Sequence, residues 1–217
     1  VDPHGVFVYG SLSHPDELLR LLGHRPDPGE VQRATLHGYR RLWTVCTDNT
    51  DPARRVTYYR PGATGPEPIQ VLFLAVVPDG GATTGGLLVR VDAGRLAGLD
   101  RREGNYVRHE VTGAVRPERA GARLPDAVWT YTAAGDSLVR AGAGIAAGTA
   151  RIRREYLDRV HQGLAAHDLL EAFRRDVTMP AVPVVPLARV PVTDPCPHSG
   201  TGAAGCWRPS PVSARPR

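Results

Sequence analysis

Two short stretches of the chain hold the polar groups best placed for chemistry. In VFVYGSL, Val6 to Leu12, an apolar run reaches Tyr9 and stops at the small residues Gly10 and Ser11, with a helix start signal directly behind. Taken alone, that is a strand end and a turn. The GSL segment is too short for a phosphate loop and lacks the lysine of one. In LAGLDRREGNYVRHEV, Leu96 to Val111, Glu103 falls at the C-terminal end of a helix, where the macrodipole disfavours a negative charge by roughly 0.3–1 kcal/mol. Gly104 then turns the chain and Tyr106 opens a strand. Taken alone, Glu103 is a solvated helix-end carboxylate. Other chemistries find little support. No HExxH pair or Cys/carboxylate cluster has metal-ligand spacing, so no metal is expected. No GxSxG elbow occurs, and Cys46 has no histidine near it in sequence, so nucleophilic catalysis is unsupported.

The elements that must position these residues are mostly short strands. Val-, Tyr-, Trp- and Leu-rich runs predict strands over Gly5–Tyr9, Val31–Leu36, Arg40–Cys46, Val56–Arg60, Ile69–Val77, Gly86–Val91, Tyr106–Val115 and Ala127–Thr132. Many short strands punctuated by Gly and Pro suggest a closed or nearly closed mixed β-barrel flanked by helices, an α+β fold. Three helices are expected. The first runs from Pro15 to Leu22, capped by Ser13 and ended by Gly23. The second runs from Ala93 to Arg102 behind an Asp92 cap. The third carries the stripe Ile152, Tyr156, Val160 and Leu164, which reads as an amphipathic helix packed on the body.

Composition limits the partners. At 217 residues, with 41% hydrophobic and 23% charged residues, the chain reads as an ordinary globular protein. The formal net charge of +5 comes from a chain with no lysine, in which all 27 basic residues are arginine. Residues 180–217 hold four arginines against Asp194, which leaves the body close to balance. No arginine run is interleaved with aromatics, so nucleic-acid binding is not expected. No apolar run reaches the ~18 residues of a membrane span, and the start of the chain lacks signal-peptide regions, which predicts no membrane contact and a cytoplasmic location. Composition shifts near Met179. Residues 180–217 contain 9 of the 20 prolines and show no periodicity, so they read as an extended or disordered tail behind a domain spanning 1–179. Val182, Val184, Val185, Leu187 and Val190 are the part of the tail suited to lie along the body as one extended piece. Cys196 and Cys206 bracket His198 but supply too few ligands for zinc and read as incidental thiols.

Together, the YGSL turn after the first strand and the LDRREGNY segment near mid-chain resemble the gamma-glutamylcyclotransferase family, in its bacterial YGSL-type form related to the ChaC-like and butirosin-pathway members. The resemblance spans most of residues 6–170. HGYRRLW, His37 to Trp43, is similar to the second or third strand of the family, VWTYTA places Tyr131 where a pocket tyrosine often stands, and EYLDRVHQGLAAHDL resembles the closing helix.

The resemblance implies a cofactor-independent reaction. In a gamma-glutamyl amide the α-amine attacks the side-chain carbonyl of the same residue, which closes a five-membered ring, expels an amine and leaves pyroglutamate. The nucleophile is tethered, and holding it in an attack conformation supplies ~7–11 kcal/mol by analogy with oriented intramolecular reactions. Glu103 is then the catalytic base and acid, its pKa raised by desolvation and the helix end. Backbone N–H groups of Gly10, Ser11 and Leu12 hold an oxyanion or carboxylate, and Tyr9, Tyr106 and Tyr131 line the pocket. Gly10 is expected to take a backbone conformation closed to branched residues. The implied partner is a small gamma-glutamyl substrate, with glutathione and an antibiotic-pathway intermediate both open, and with monomer and homodimer both open. Two other readings remain: a non-catalytic ligand-binding module of this fold, and an amide-cleaving or acyl-transferring enzyme using the same pocket.

Overall fold

Two long strands organise the molecule, whose computed structural model describes residues 4–192. Strand β1 (His4–Val8) leads through a 3₁₀ turn (Ser11–Ser13) into helix α1 (Pro15–Leu22). Strand β2 (Val31–Asp48) then pairs antiparallel with β4 (Gln70–Val91), from Val31↔Val89 to Asp48↔Gln70. Each long strand joins two of the expected short ones. The apparent break is a bulge: Gly38 takes φ +76°, and β4 detours through residues 79–82 between Pro78↔Tyr39 and Thr83↔His37. A Gly in the left-handed region lets the ladder bend without ending it, so a punctuation signal in the sequence became a kink inside a continuous strand.

The rest of the sheet is laid around this ribbon. β1 pairs antiparallel with β4 and parallel with β7 (Val128–Ala133). Strand β3 (Val56–Tyr59) lies outside the main sheet, while β5 (Tyr106–Glu110) borders β7 and β6 (Val115–Pro117) borders β2. The hydrogen-bonded path β5–β7–β1–β4–β2–β6 therefore has two free ends. The expected closed or nearly closed barrel is instead an open mixed sheet, curled enough that β7 meets β4 again at Val76↔Thr132. A 3₁₀ turn at Thr112–Ala114 interrupts the expected Tyr106–Val115 strand, and its two halves, β5 and β6, stand at the two ends of the path.

Helix α1 is capped by His14 rather than Ser13: the His14 ring accepts from the Asp16 N–H, while the Ser13 hydroxyl donates back to the Gly10 carbonyl at 2.7 Å. Helix α2 (Ala93–Arg102) starts at its Asp92 cap and ends at Glu103 as expected. Helix α3 (Gly135–Ala146) was not foreseen. Its buried positions include Ser137, Ala141 and Gly144, while Val139 is 72% exposed, so its packing face is small and its large residues point away. Ile152 belongs to strand β8 (Ala150–Arg153), which runs without a loop into α4 (Arg154–Ala165), so the expected stripe begins one turn late. The short α5 (Leu170–Asp176), anchored by buried Phe173, also went unforeseen.

Beyond the composition shift at Met179 the chain is packed onto the body through residue 192. Strand β9 (Val184–Val185) pairs with β8, and β10 (Ala188–Pro191) pairs with β3. Leu187, between them, is 1% exposed and joins Tyr58, Ile69 and Val71 in a second small core. Cys196, His198 and Cys206 lie outside the described residues.

Candidate active site

The end of β1 is set by two close approaches. At Gly86 in β4, a Cβ would fall 2.5 Å from the Val8 carbonyl oxygen and 2.6 Å from the Phe7 ring, so only glycine admits β1 this near. At Gly163 in α4, a Cβ would fall 2.6 Å from both the His14 backbone nitrogen and the Ser13 Oγ. The YGSL turn is thus clamped between the sheet and α4. Within it, Ser13 N–H donates to the Gly10 carbonyl and His14 N–H to that of Ser11, while the N–H groups of Gly10, Ser11 and Leu12 donate to no backbone or side-chain acceptor among the described residues.

These amides border a narrow cleft of about 40 Å³, open to solvent, whose walls contain Tyr9, Gly10, Ser11, Leu12, Glu103, Tyr106 and Tyr131. All seven residues singled out in the sequence therefore meet in one place. Phe7, Leu74 and Tyr156 complete much of the wall. Gly10 departs from expectation in one respect. Its φ of −136° is not left-handed, and a Cβ there would meet only the Tyr156 hydroxyl, at 3.6 Å. The backbone does not require glycine at that position; what lies beyond a Cβ is the cleft.

Glu103 is the carboxylate in this wall, its side chain 16% exposed. Burial pushes its pKa up; Arg102 opposes that, and the negative Glu17 adds to it. Arg102 bridges the two acids, with Nη1 2.9 Å from Glu17 and Nε 3.3 Å from Glu103. Glu17 itself, 7% exposed, also faces Arg20 of α1 and Arg159 of α4, at 2.5 and 3.1 Å. Burial resists its ionisation, but the hydrogen bonds and charges of Arg20 and Arg102 outweigh burial and hold its pKa below the usual range. Two neighbouring carboxylates are thereby separated: Glu17 is held ionised and Glu103 is held ready to take a proton.

Tyrosine hydroxyls fix the remaining walls. Tyr9 donates to the Tyr131 carbonyl, and Tyr131 donates to Asp100 Oδ1 at 2.9 Å, itself paired with Arg108. Tyr106 donates to the Leu74 carbonyl at 2.9 Å. Tyr156, which the sequence reading took for a plain member of a core stripe, accepts from the Leu74 N–H at 3.2 Å between the edges of Trp43 and Phe73. A tyrosine in an apolar stripe always has a hydroxyl to satisfy, and that was the signal available. Burial is the leading cause holding all four phenols well above their usual pKa, so they act as neutral donors and acceptors.

Other reactive groups lie elsewhere. Cys46 is buried, its thiol pKa raised by desolvation, and its amide donates to Ser137 Oγ. In the α1–β2 loop, His24, Asp27 and Glu30 bring three possible metal-ligand atoms within 4.8 Å of one another, a grouping the sequence spacing did not suggest. The loop's own bonds account for it, since Glu30 accepts from the Asp27 N–H at 3.0 Å. No helix among the described residues is long and apolar enough to cross a membrane.

Comparison with known proteins places this geometry. YkqA from Bacillus subtilis superposes with a TM-score of 0.54 at 21% identity, over 85% of this chain and 56% of its own. A structure described as a gamma-glutamyl cyclotransferase gives a TM-score of 0.50 at 11% identity, over 80% of this chain and 85% of its own. A solution structure from Arabidopsis thaliana is 26% identical over 63% of this chain and 75% of its own, with a TM-score of 0.41. No curated protein matches the chain in sequence. The first two likenesses are likenesses of fold. Family membership rests on the sequence: residues 6–149, which run from β1 through the whole cleft wall except Tyr156, match the Gamma-glutamyl cyclotransferase, AIG2-like family, and the chain belongs to it.

Proposed function

We propose that the protein releases pyroglutamate and a free amine from a gamma-glutamyl amide by intramolecular aminolysis. The observation that carries this reading is the meeting of Glu103 with the free N–H groups of Gly10, Ser11 and Leu12 in a single cleft. The substrate's α-ammonium loses a proton to Glu103, and its nitrogen then attacks the γ-carbonyl carbon. The new C–N bond forms as the carbonyl π-electrons move onto oxygen, facing the free amides. Glu103 returns that proton to the leaving nitrogen, the carbonyl re-forms as the old C–N bond breaks, and the ring nitrogen gives its remaining extra proton to the Glu103 carboxylate, which passes it to the departing amine or to solvent, so that pyroglutamate and the amine separate. The raised pKa of Glu103 suits both halves of that cycle.

The substrate class is tested by incubating the purified protein with glutathione, simple gamma-glutamyl amino acids and a gamma-glutamylated aminoglycoside, and measuring pyroglutamate by mass spectrometry. Pyroglutamate from at least one, abolished by Glu103→Gln, is the expected result. Binding of pyroglutamate with no turnover of any substrate would leave a ligand-binding module. Amine release without pyroglutamate would indicate a different amide chemistry.

A further inference from the structure

A second and larger cavity, about 370 Å³, lies between the β2–β4 bend and α5, lined among others by Arg40, Arg41, Thr83, Phe173, Arg175 and Asp176. None of its lining residues belongs to the cleft around Glu103. At its inner wall is Arg41, only 5% exposed. One end of the guanidinium donates to the Gly85 carbonyl, and the carbon at its centre stands 5.2 Å from the Phe173 ring centroid. Its Nε–H is buried and has no partner among the described residues.

No carboxylate among the described residues pairs with Arg41. The nearby acids are engaged elsewhere: Asp79 with Arg40 at 2.7 Å, and Asp176 with Arg175 at 2.9 Å. Burial lowers the Arg41 pKa to about 10, which leaves it charged at neutral pH. An unpaired, buried cation with a free donor is costly unless something supplies the missing acceptor. A carbonyl dipole and an aromatic face offset only part of that cost. The cavity in front of Arg41 is also lined by the exposed Arg40 and Arg175, each paired with its own acid, so the unbalanced positive charge along its walls is that of Arg41.

We propose that this cavity is a binding site for a small oxyanion, a carboxylate or phosphate group, seated on Arg41. Its planar N–H donors match either group, and the exposed Arg175 and Arg40 at the mouth supply further donors that can turn from their acids to the anion. The site is separate from the proposed chemistry and does not depend on it.

The test uses the full 217-residue chain, titrated with inorganic phosphate in one arm and sodium acetate in the other, at ionic strength matched with sodium chloride. The readouts are melting temperature and heat of binding. A saturable response to one or both anions, absent with chloride, is expected. The anion that binds more tightly distinguishes a phosphorylated ligand from a carboxylate. Arg41→Met should weaken binding by about tenfold or more, the scale of a lost charge-assisted hydrogen bond. Arg175→Ala, at an exposed position, should weaken it severalfold and keeps the test valid if Arg41→Met does not fold. No saturable response to either anion overturns the proposal. So does binding that neither Arg41→Met nor Arg175→Ala weakens.

Discussion

Tyr106 and Tyr156 both hydrogen-bond the backbone of one residue, Leu74. The first donates to its carbonyl at 2.9 Å and the second accepts from its N–H at 3.2 Å. Tyr106 comes from β5 and Tyr156 from α4, so these bonds tie opposite walls of the cleft to one point on β4. Tyr106→Phe and Tyr156→Phe should each lose about 1–2 kcal/mol of stability, because a buried backbone group is left unpaired. Each should also lower kcat/KM. Denaturant melts and steady-state kinetics on the two variants check this, and unchanged values for both would show that the Leu74 clasp positions nothing.

Glu103→Gln should reduce turnover by ~100-fold or more while raising stability at neutral pH. The sign follows from its raised pKa. Below the unfolded-state value both states are protonated and nothing is gained. As pH rises past the folded-state value, the ionised carboxylate disfavours the native state. The melting-temperature difference between variant and wild type should therefore shrink toward acid pH. A variant that is folded and fully active removes Glu103 from the mechanism.

Glu17→Gln should move the acid limb of the pH–rate profile to lower pH. Ionised Glu17 raises the Glu103 pKa, and its removal also frees Arg102 to pair with Glu103 alone. Stability should fall too, by less than the roughly 3–5 kcal/mol of a broken buried pair, because its arginine partners are 39–62% exposed. Glu17 has a depressed pKa, so its contribution is present above the unfolded-state value and is lost as pH falls through the folded one. An acid limb that stays in place or rises would separate the two carboxylates.

Glycines 163 and 10 should respond differently to a side chain. Gly163→Val forces α4 off the turn, where a Cβ already meets backbone at 2.6 Å, and should cost several kcal/mol and unfold much of the protein. Gly10→Val meets no backbone obstacle and should fold with near wild-type stability. Its methyl groups enter the cleft, so activity and pyroglutamate binding should fall sharply. Normal turnover by a folded Gly10→Val protein would mean that the amides of the turn do not hold substrate.

Leu187→Ala should destabilise the protein by about 2–5 kcal/mol, as for a fully buried leucine. The cost comes from a Pro-rich segment whose sequence shows no periodicity. Thermal melts decide it, and a loss near zero would mean that the contacts with Tyr58, Ile69 and Val71 do not contribute.

The sequence by itself determined the local grammar: α2 bounded by Asp92 and Glu103, Gly23 ending α1, and the turn after Tyr9. These depend on capping and backbone preference, which act over a few residues. It also marked seven residues of the cleft, through resemblance in three short stretches rather than through any periodicity. Tertiary structure decided the rest. Whether Gly38 ends a strand or bends one depends on the partner strand. Whether α3 packs by its large or its small residues depends on Gly144 lying against Gln70. Tyr156 became part of the cleft only because Gly163 lets α4 touch the turn, and Glu103 acquired its raised pKa only when folding buried it, with Glu17, 86 residues earlier, adding to the shift. Burial and charge proximity are properties of the packed chain, set by contacts between residues that no local pattern links.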